Sequence, residues 1–401
     1  MKSLILPEEA QRLILENLPE KPSITCPLDK CAGRILRQAV TSDRPIPPFD
    51  RSMMDGYALR TSDIDPDGIF IITHDCPAGS PHIALSAVPK ACAEIMTGAI
   101  LPTGADCVVP YEATQRLDKD KIKLTHPADH AAGDCIHQLG SDHPADAVLI
   151  KTGRTISSRE TAIAASCGYD TLKVSKQPSI AVVSTGDELV EVSQSPEPHQ
   201  IRRSNDLMID VALKRAGFIA SERAHINDDA QHCAGELQRL SKANHILIIS
   251  GGISMGKKDF MPEALNQLGF TCHFHGVAQK PGKPFGFWTS QDCAVFALPG
   301  NPISTLTCLH QYVIPALFST SGQTDTAIRT SVQLTAPVKA RDDITIFLPV
   351  KKEANNQASP QPINNSGDLV RILESDGYIG LPPTQGKGYE AGKSFDFHPW
   401  Y

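Results

Sequence analysis

The sequence predicts a multidomain chain of α/β plus β class, with a doubly wound α/β domain and small β-rich domains before and after it. Three observations carry this expectation. From about residue 178 to 320, apolar strand-like runs alternate with helical ones, the pattern of a parallel sheet covered on both faces. On either side of that span, short β-like runs are broken by Gly, Pro and Asp. The length, 401 residues, exceeds what one compact core holds, so two to four domains are expected.

Taken in order, residues 5–18 are apolar at helical spacing (Ala10, Leu13, Ile14, Leu18), with Pro7 suited to a first turn. Residues 44–48, Arg-Pro-Ile-Pro-Pro, form a stiff extended linker, because each proline fixes its own φ and restrains its predecessor. The runs GIFIITHD, ACAEIMTGAILP, CVVPYEAT and KIKLTH then suggest a small β-rich domain inserted at 46–140. It interrupts a discontinuous N-terminal segment, 1–45 and 141–177, which holds a helix candidate at Arg159–Cys167. Within 178–322 the expected strands are SIAVVS, Ile219–Ile226, HILIIS, TCHFHGVA and CAVFAL. The expected helices are Asn205–Gly217, Ala230–Lys242, one near Pro262–Leu268, and a closing helix Pro302–Phe318. The tail, 323–401, returns to β runs (SVQLTAPV, TIFLPV, YIGLPP), with EANNQASPQPINNSG read as a loop.

A net charge of −7 argues against a general nucleic-acid binder, which needs a strongly basic face. The N-terminal apolar patch ends at Pro7, too short for a secretion signal, and no later run is long enough to span a bilayer. A cytoplasmic protein without membrane association is expected. The 11 cysteines are odd in number and none has CxxC spacing, which favours buried thiols over disulfides or structural zinc. Cys272-His273-Phe274-His275 is ligand-rich, but no further ligand sits at zinc spacing. These are read as strand residues beside a cleft.

Ligands in doubly wound sheets collect beyond the carboxyl ends of the strands. After SIAVVS come Thr185, Gly186, Asp187 and Glu188; after the next strand, Asp228 and Asp229. HILIIS ends at Ser250 and is followed by Gly251-Gly252-Ile253-Ser254-Met255-Gly256 and then Asp259. After TCHFHGVA come Lys280-Pro281-Gly282-Lys283-Pro284, and after CAVFAL come Pro299-Gly300-Asn301-Pro302. Glycine lets backbone N–H groups approach phosphate oxygens. A helix opening at Asn301-Pro302 attracts anions, and Lys280 and Lys283 can hold negative charge. Glu188, Asp228 and Asp259 would repel one another without a cation between them, and Mg²⁺ suits such a carboxylate set. Each piece alone is more often a turn, a solvated helix start or a surface loop; their coincidence at one rim carries the reading. GxGxxG and GxxxxGK[ST] are both absent here, which excludes the Rossmann and Walker A modes.

At these residues the chain resembles the molybdopterin molybdenumtransferases, the MoeA and gephyrin E-domain family, almost end to end. Cys31-Ala32-Gly33-Arg34-Ile35-Leu36 resembles the family's AxGRxL, and residues 47–58, PPFDRSMMDGYA, its PPFxxSxMDGYA. Residues 96–106 match xTGAxxPxGAD and residues 184–189 match STGDEL; SGGIS, KPGKPF and LPGNP complete the set. The resemblance implies a MogA-like α/β domain and a homodimer. It implies an enzyme that takes molybdopterin-AMP and molybdate, releases AMP with Mg²⁺ and leaves molybdenum on the dithiolene. It also implies exchange with other cofactor-biosynthesis proteins or apo-molybdoenzymes. Carried over by position, Asp55, Thr97 and Asp142 are site residues from the smaller domains. Glu188, Asp228 and Asp259 match acidic site residues, Lys280 a site lysine and Ser366 a site serine. Two positions depart: Gly276 stands where many members have a second lysine, and Pro349 where many have an arginine. Arg202, Arg203, Arg371 and Lys351 are candidate substitutes. The rival readings are a molybdopterin adenylyltransferase or CinA-type protein, disfavoured by the MDGYA block and the tail domain, and a molybdopterin-binding scaffold or carrier with reduced turnover.

Overall fold

The computed structural model describes residues 4–19, 22–253, 260–323, 330–363 and 365–400. The chain forms two units, one of residues 1–37, 152–157 and 172–401, the other of residues 38–151 and 158–171.

The first unit is built on a six-stranded sheet. Its elements are β1 (Ile180–Thr185), α1 (Asn205–Arg215), β2 (Glu222–Ile226), α2 (Ala230–Ala243), β3 (Ile246–Ser250), α3 (Met261–Gln267), β4 (Thr271–His275), β5 (Gly286–Thr289), β6 (Ala294–Leu298) and α4 (Pro302–Cys308). The strand order is β2-β1-β3-β6-β5-β4. The first four strands pair in parallel, whereas β5 is antiparallel to both neighbours, so β4 points the same way as the four. The wholly parallel sheet expected from sequence is therefore mixed. The reason is local: only residues 290–293 join β5 to β6, a link too short for a parallel crossover.

Alternation along the strands divides the core into two layers. Ile180, Val182, Ile246, Ile248 and Phe296 meet Ile209 and Leu213 of α1 together with Leu309, Val313 and Leu317. Ala181, Val183, Leu247, Ile249 and Val295 meet Leu237 and Leu240 of α2 and Met261 and Leu265 of α3. Strands β1, β3 and β6 are buried along their whole length, as strands covered on both faces must be. The closing helix is interrupted. After α4 comes a π-turn, Leu309–Val313, then a helix Ile314–Thr320. Pro315 supplies the cause, since it offers no N–H to the helical ladder and its ring crowds the preceding turn.

Five strands of the tail, with Gln279–Lys280 as a sixth, form a second six-stranded sheet that closes on itself, because Thr345–Lys352 pairs with both Gln357–Pro360 and Gly377–Leu381. Gln357–Pro360 lies inside the stretch expected to be a loop. Gln279–Lys280 joins this sheet beside Thr345–Lys352. The second unit carries a sheet ordered Cys107–Pro110, Gly56–Leu59, Ala91–Ile95, Ile69–Cys76, Lys121–Leu124, Thr114–Arg116, and the helix Ser158–Ser166. All eleven cysteines are free thiols, most of them buried. Burial pushes Cys92 and Cys107 up to about 12. Among the described residues no helix is long and apolar enough to cross a membrane.

Candidate functional site

A cavity of about 500 Å³ opens at the carboxyl ends of β1, β3 and β6. Its wall includes Thr185, Gly186, Glu188, Asp228, Ser250, Gly251, Gly252, Pro299, Gly300, Asn301 and Pro302. The sequence placed all eleven at one rim, and the fold brings them together because the four parallel strands end side by side there.

The turns are tied by specific hydrogen bonds. The Asp228 N–H donates to Asp187 Oδ1 at 3.0 Å, which ties the segment after β2 to the segment after β1. The Gly251 N–H donates to the Leu298 carbonyl at 3.0 Å, and Thr305 Oγ1 donates to the Pro299 carbonyl at 2.6 Å. Gly251 has φ +98°, and a Cβ there would lie 2.7 Å from Thr185 Oγ1 and 2.9 Å from the Thr185 carbonyl oxygen. Only glycine fits that turn without displacing Thr185.

Asn205, at the start of α1, escaped the sequence reading. Its Nδ2 donates to Ser250 Oγ at 2.8 Å and to the Gly300 carbonyl at 2.7 Å, so one side chain joins three walls of the cavity. A carbonyl can only accept, which fixes the amide orientation and leaves Oδ1 on the other side. Asn205 Oδ1 and Thr185 Oγ1 are buried and have no hydrogen-bond partner among the described residues. A search confined to the residues after strand ends misses Asn205, because it begins a helix. Ser204, Ile201, Leu189 and Pro284 line the cavity as well, and so does Arg202, one of the candidate substitutes for the absent cations. Arg203 is engaged with Glu191 at 2.8 Å.

Ser366 adjoins the cavity through Asn301, whose Nδ2 donates to Ser366 Oγ at 2.8 Å; the Ser366 carbonyl accepts from Ile303 N–H at 3.1 Å. Lys280 and Lys283 are exposed and are not among the lining residues; Pro284 of the same KPGKP segment is. Asp259 lies outside the described residues. Among the described residues no group of three His, Cys, Asp or Glu is placed to hold a metal ion. Glu188 and Asp228 nonetheless face one cavity, and a hard cation that keeps waters and binds substrate phosphate needs one or two carboxylates. Their oxygen chemistry fits Mg²⁺.

In the second unit, Asp55 Oδ1 accepts from both the backbone N–H and the Oγ1 of Thr97, each at 2.7 Å. These two bonds, the backbone one first, hold the Asp55 carboxyl below the usual carboxylate range. Asp142 accepts from His137 Nε2 at 3.0 Å.

Comparison with known proteins agrees with this architecture. Residues 5–168 match the MoeA N-terminal region (domain I and II), residues 181–319 a probable molybdopterin binding domain, and residues 331–400 the MoeA C-terminal region (domain IV). A curated relative from Synechocystis, named molybdopterin molybdenumtransferase, is 37% identical over 398 residues, covering 98% of each chain. One of the same name from Bacillus subtilis is 29% identical, covering 92% of this chain and 87% of its own. A crystal structure titled as the molybdopterin biosynthesis MoeA protein of a Pyrococcus species superposes with a TM-score of 0.83 at 26% identity, all of both chains being covered. With three family regions matched in sequence order and a relative more than one-third identical from end to end, the chain belongs to the MoeA family of molybdopterin molybdenumtransferases.

Proposed function

We propose that this chain is a transferase of molybdenum cofactor biosynthesis that inserts molybdenum from molybdate into adenylylated molybdopterin, with Mg²⁺-dependent release of AMP. The observation that carries the reading is the cavity itself, lined by two carboxylates, a glycine turn and two residues, Thr185 and Asn205, each with a buried polar atom that has no partner among the described residues. The backbone N–H of Gly252 and those at the start of α1 suit a phosphate. Glu188 and Asp228 would hold Mg²⁺, with Asp259 as the third carboxylate of the set. The ion supplies charge neutralisation for the departing AMP. Gly186, Ser250, Gly300, Asn301 and Pro302 shape the nucleotide end of the site, and Ser366 adjoins it through Asn301. Lys280 and Lys283 are assigned to anion attraction, and Arg202 stands in for the cations absent at Gly276 and Pro349. Asp55, Thr97 and Asp142 are assigned to the same reaction on the family resemblance, supported by the fixed orientation of the Asp55 and Asp142 carboxyls.

The same resemblance supports a homodimer, which sedimentation at micromolar protein would reveal, a monomer there counting against it. It also supports the four-segment division at residues 45, 140, 177 and 322. The direct test is reconstitution of an apo-molybdoenzyme with molybdopterin-AMP, Mg²⁺ and limiting molybdate. Enzyme activity should appear with this protein, together with stoichiometric AMP. Tight binding of molybdopterin-AMP with no AMP release would instead make the chain a carrier and overturn the proposal.

A further inference from the structure

Within the second unit, a histidine is held between an arginine and Asp142. Residues Ile136–His137 pair antiparallel with Arg51–Ser52, and His137 lies directly opposite Arg51. Arg51 Nη2 is 3.2 Å from His137 Nδ1, and His137 Nε2 is 3.0 Å from Asp142 Oδ1. A guanidinium can only donate, so Nδ1 must be the accepting nitrogen. An ionised carboxylate can only accept, so Nε2 must carry the proton. One species satisfies both contacts at once, the neutral Nε2–H tautomer.

The backbone around this trio is pinned. The Asp142 N–H donates to the Ile46 carbonyl at 3.0 Å, and the Gly140 N–H to the Pro47 carbonyl at 2.9 Å. The Leu139 N–H donates to Asp50 Oδ1 at 2.6 Å. The chain after His137 therefore turns back and delivers Asp142 to the same ring. What the backbone leaves free is the side-chain torsion of Asp142, which is half exposed. A hydrogen bond from a ring that is itself held removes that freedom.

We infer that His137 is a positioning residue for Asp142, kept by Arg51 in the one tautomer that can donate to the carboxylate. This rests on the reading that Asp142 serves molybdenum insertion. The logic is that of a ligand whose orientation is set by the group behind it, where losing the support costs rate although the support touches no substrate. The charged groups facing the ring are Arg51 at Nδ1 and Asp142 at Nε2. Of the neighbouring groups, Asp50 and Asp134 are turned to the amides of Leu139 and Ala131. Cys135 and His143 meet the facing segment through their carbonyls, to Met53 and Ile46.

The experiment uses the full chain and two substitutions. His137→Gln offers an amide oxygen to Arg51 and an amide N–H to Asp142. His137→Phe keeps a ring and offers neither. Molybdenum insertion is followed at neutral pH, and the His137 ring nitrogens are read by ¹⁵N NMR in the wild type. The expected results are an Nε2–H tautomer and a roughly ten- to hundredfold lower kcat for His137→Phe. His137→Gln should restore kcat to near the wild-type value. An Nδ1–H tautomer, a wild-type rate for His137→Phe, or a folded His137→Gln as slow as His137→Phe would each overturn the inference. An Asp142→Asn variant with full activity would instead remove Asp142 from the reaction, while the tautomer seen by NMR would stand.

Discussion

Thr185 keeps its hydroxyl in the cavity wall with no partner among the described residues. A buried hydroxyl in that state costs about 1–3 kcal/mol, so its replacement by a methyl should not harm the empty protein. Thr185→Val is predicted to leave stability unchanged or raise it by about 1 kcal/mol, and to shrink the thermal shift produced by AMP. Differential scanning fluorimetry with and without AMP checks both; a destabilised variant, or one with the full AMP shift, would show that the hydroxyl is not held for the ligand. Asp55 gives a second residue-scale expectation. Because two Thr97 bonds hold its carboxyl down, it contributes stability at pH above the ordinary carboxylate range, lost as pH falls through its lowered value. Thr97→Val removes the hydroxyl bond and keeps the backbone one. The Asp55 midpoint, followed by carboxyl ¹³C NMR, should rise part of the way toward an ordinary aspartate, and an unmoved midpoint would leave the backbone bond as the sole cause.

Glycines govern what the connecting elements can become. Gly276, where the family resemblance implies a lysine in many members, sits after β4 at φ +113°, and a Cβ would lie 2.8 Å from Leu4 Cδ2. The Leu4 tip can move, but the left-handed backbone cannot easily take a side chain. The absent cation is therefore a property of this turn, and restoring it is not a simple exchange of charge. Gly276→Lys is predicted to destabilise the protein by roughly 1–3 kcal/mol, measured as a lowered urea midpoint; an unchanged midpoint would mean that the turn relaxes. Gly251 is more constrained, because its missing Cβ would press on both oxygens of Thr185. Gly251→Ala should then lower both stability and AMP binding, and a variant that lost neither would leave the turn without a part in the site.

At the scale of the whole molecule, the first unit's core carries a built-in acid sensitivity. His310 lies in the π-turn, buried, with Nδ1 donating to the Leu306 carbonyl at 2.9 Å. Burial pushes it down to about 4. The unfolded chain takes up this proton at higher pH than the folded one, so stability falls as pH drops below the ordinary histidine range. The loss reaches about 3 kcal/mol near pH 4. His310→Gln should flatten the fall in urea stability between roughly pH 6.5 and 4, and an unaltered slope would place the acid sensitivity elsewhere.

Composition and periodicity by themselves determined the class, the alternation of strands and helices in the α/β span, and the rim at which the chemistry-bearing residues gather. They could do so because a strand buried on both faces is continuously apolar, as Ile180–Thr185 is, and because ligand residues follow strand ends. The motifs of residues 47–58 and 298–302 determined the family. Only the tertiary structure decided that β5 turns back antiparallel, that Gln357–Pro360 is a strand, and that the tail sheet closes, since strand pairing depends on residues distant in sequence. It also decided which of the rim residues share a wall. Thr185, Gly251 and Asn301 do, Lys280 and Lys283 are not among them, and Asn205 enters from a helix start. The physical reason is that sequence records the kind of group each position carries, whereas a cavity is made by directions in space, and these are set by φ, by hydrogen bonds such as Asn205 to Gly300, and by the packing of segments far apart in the chain.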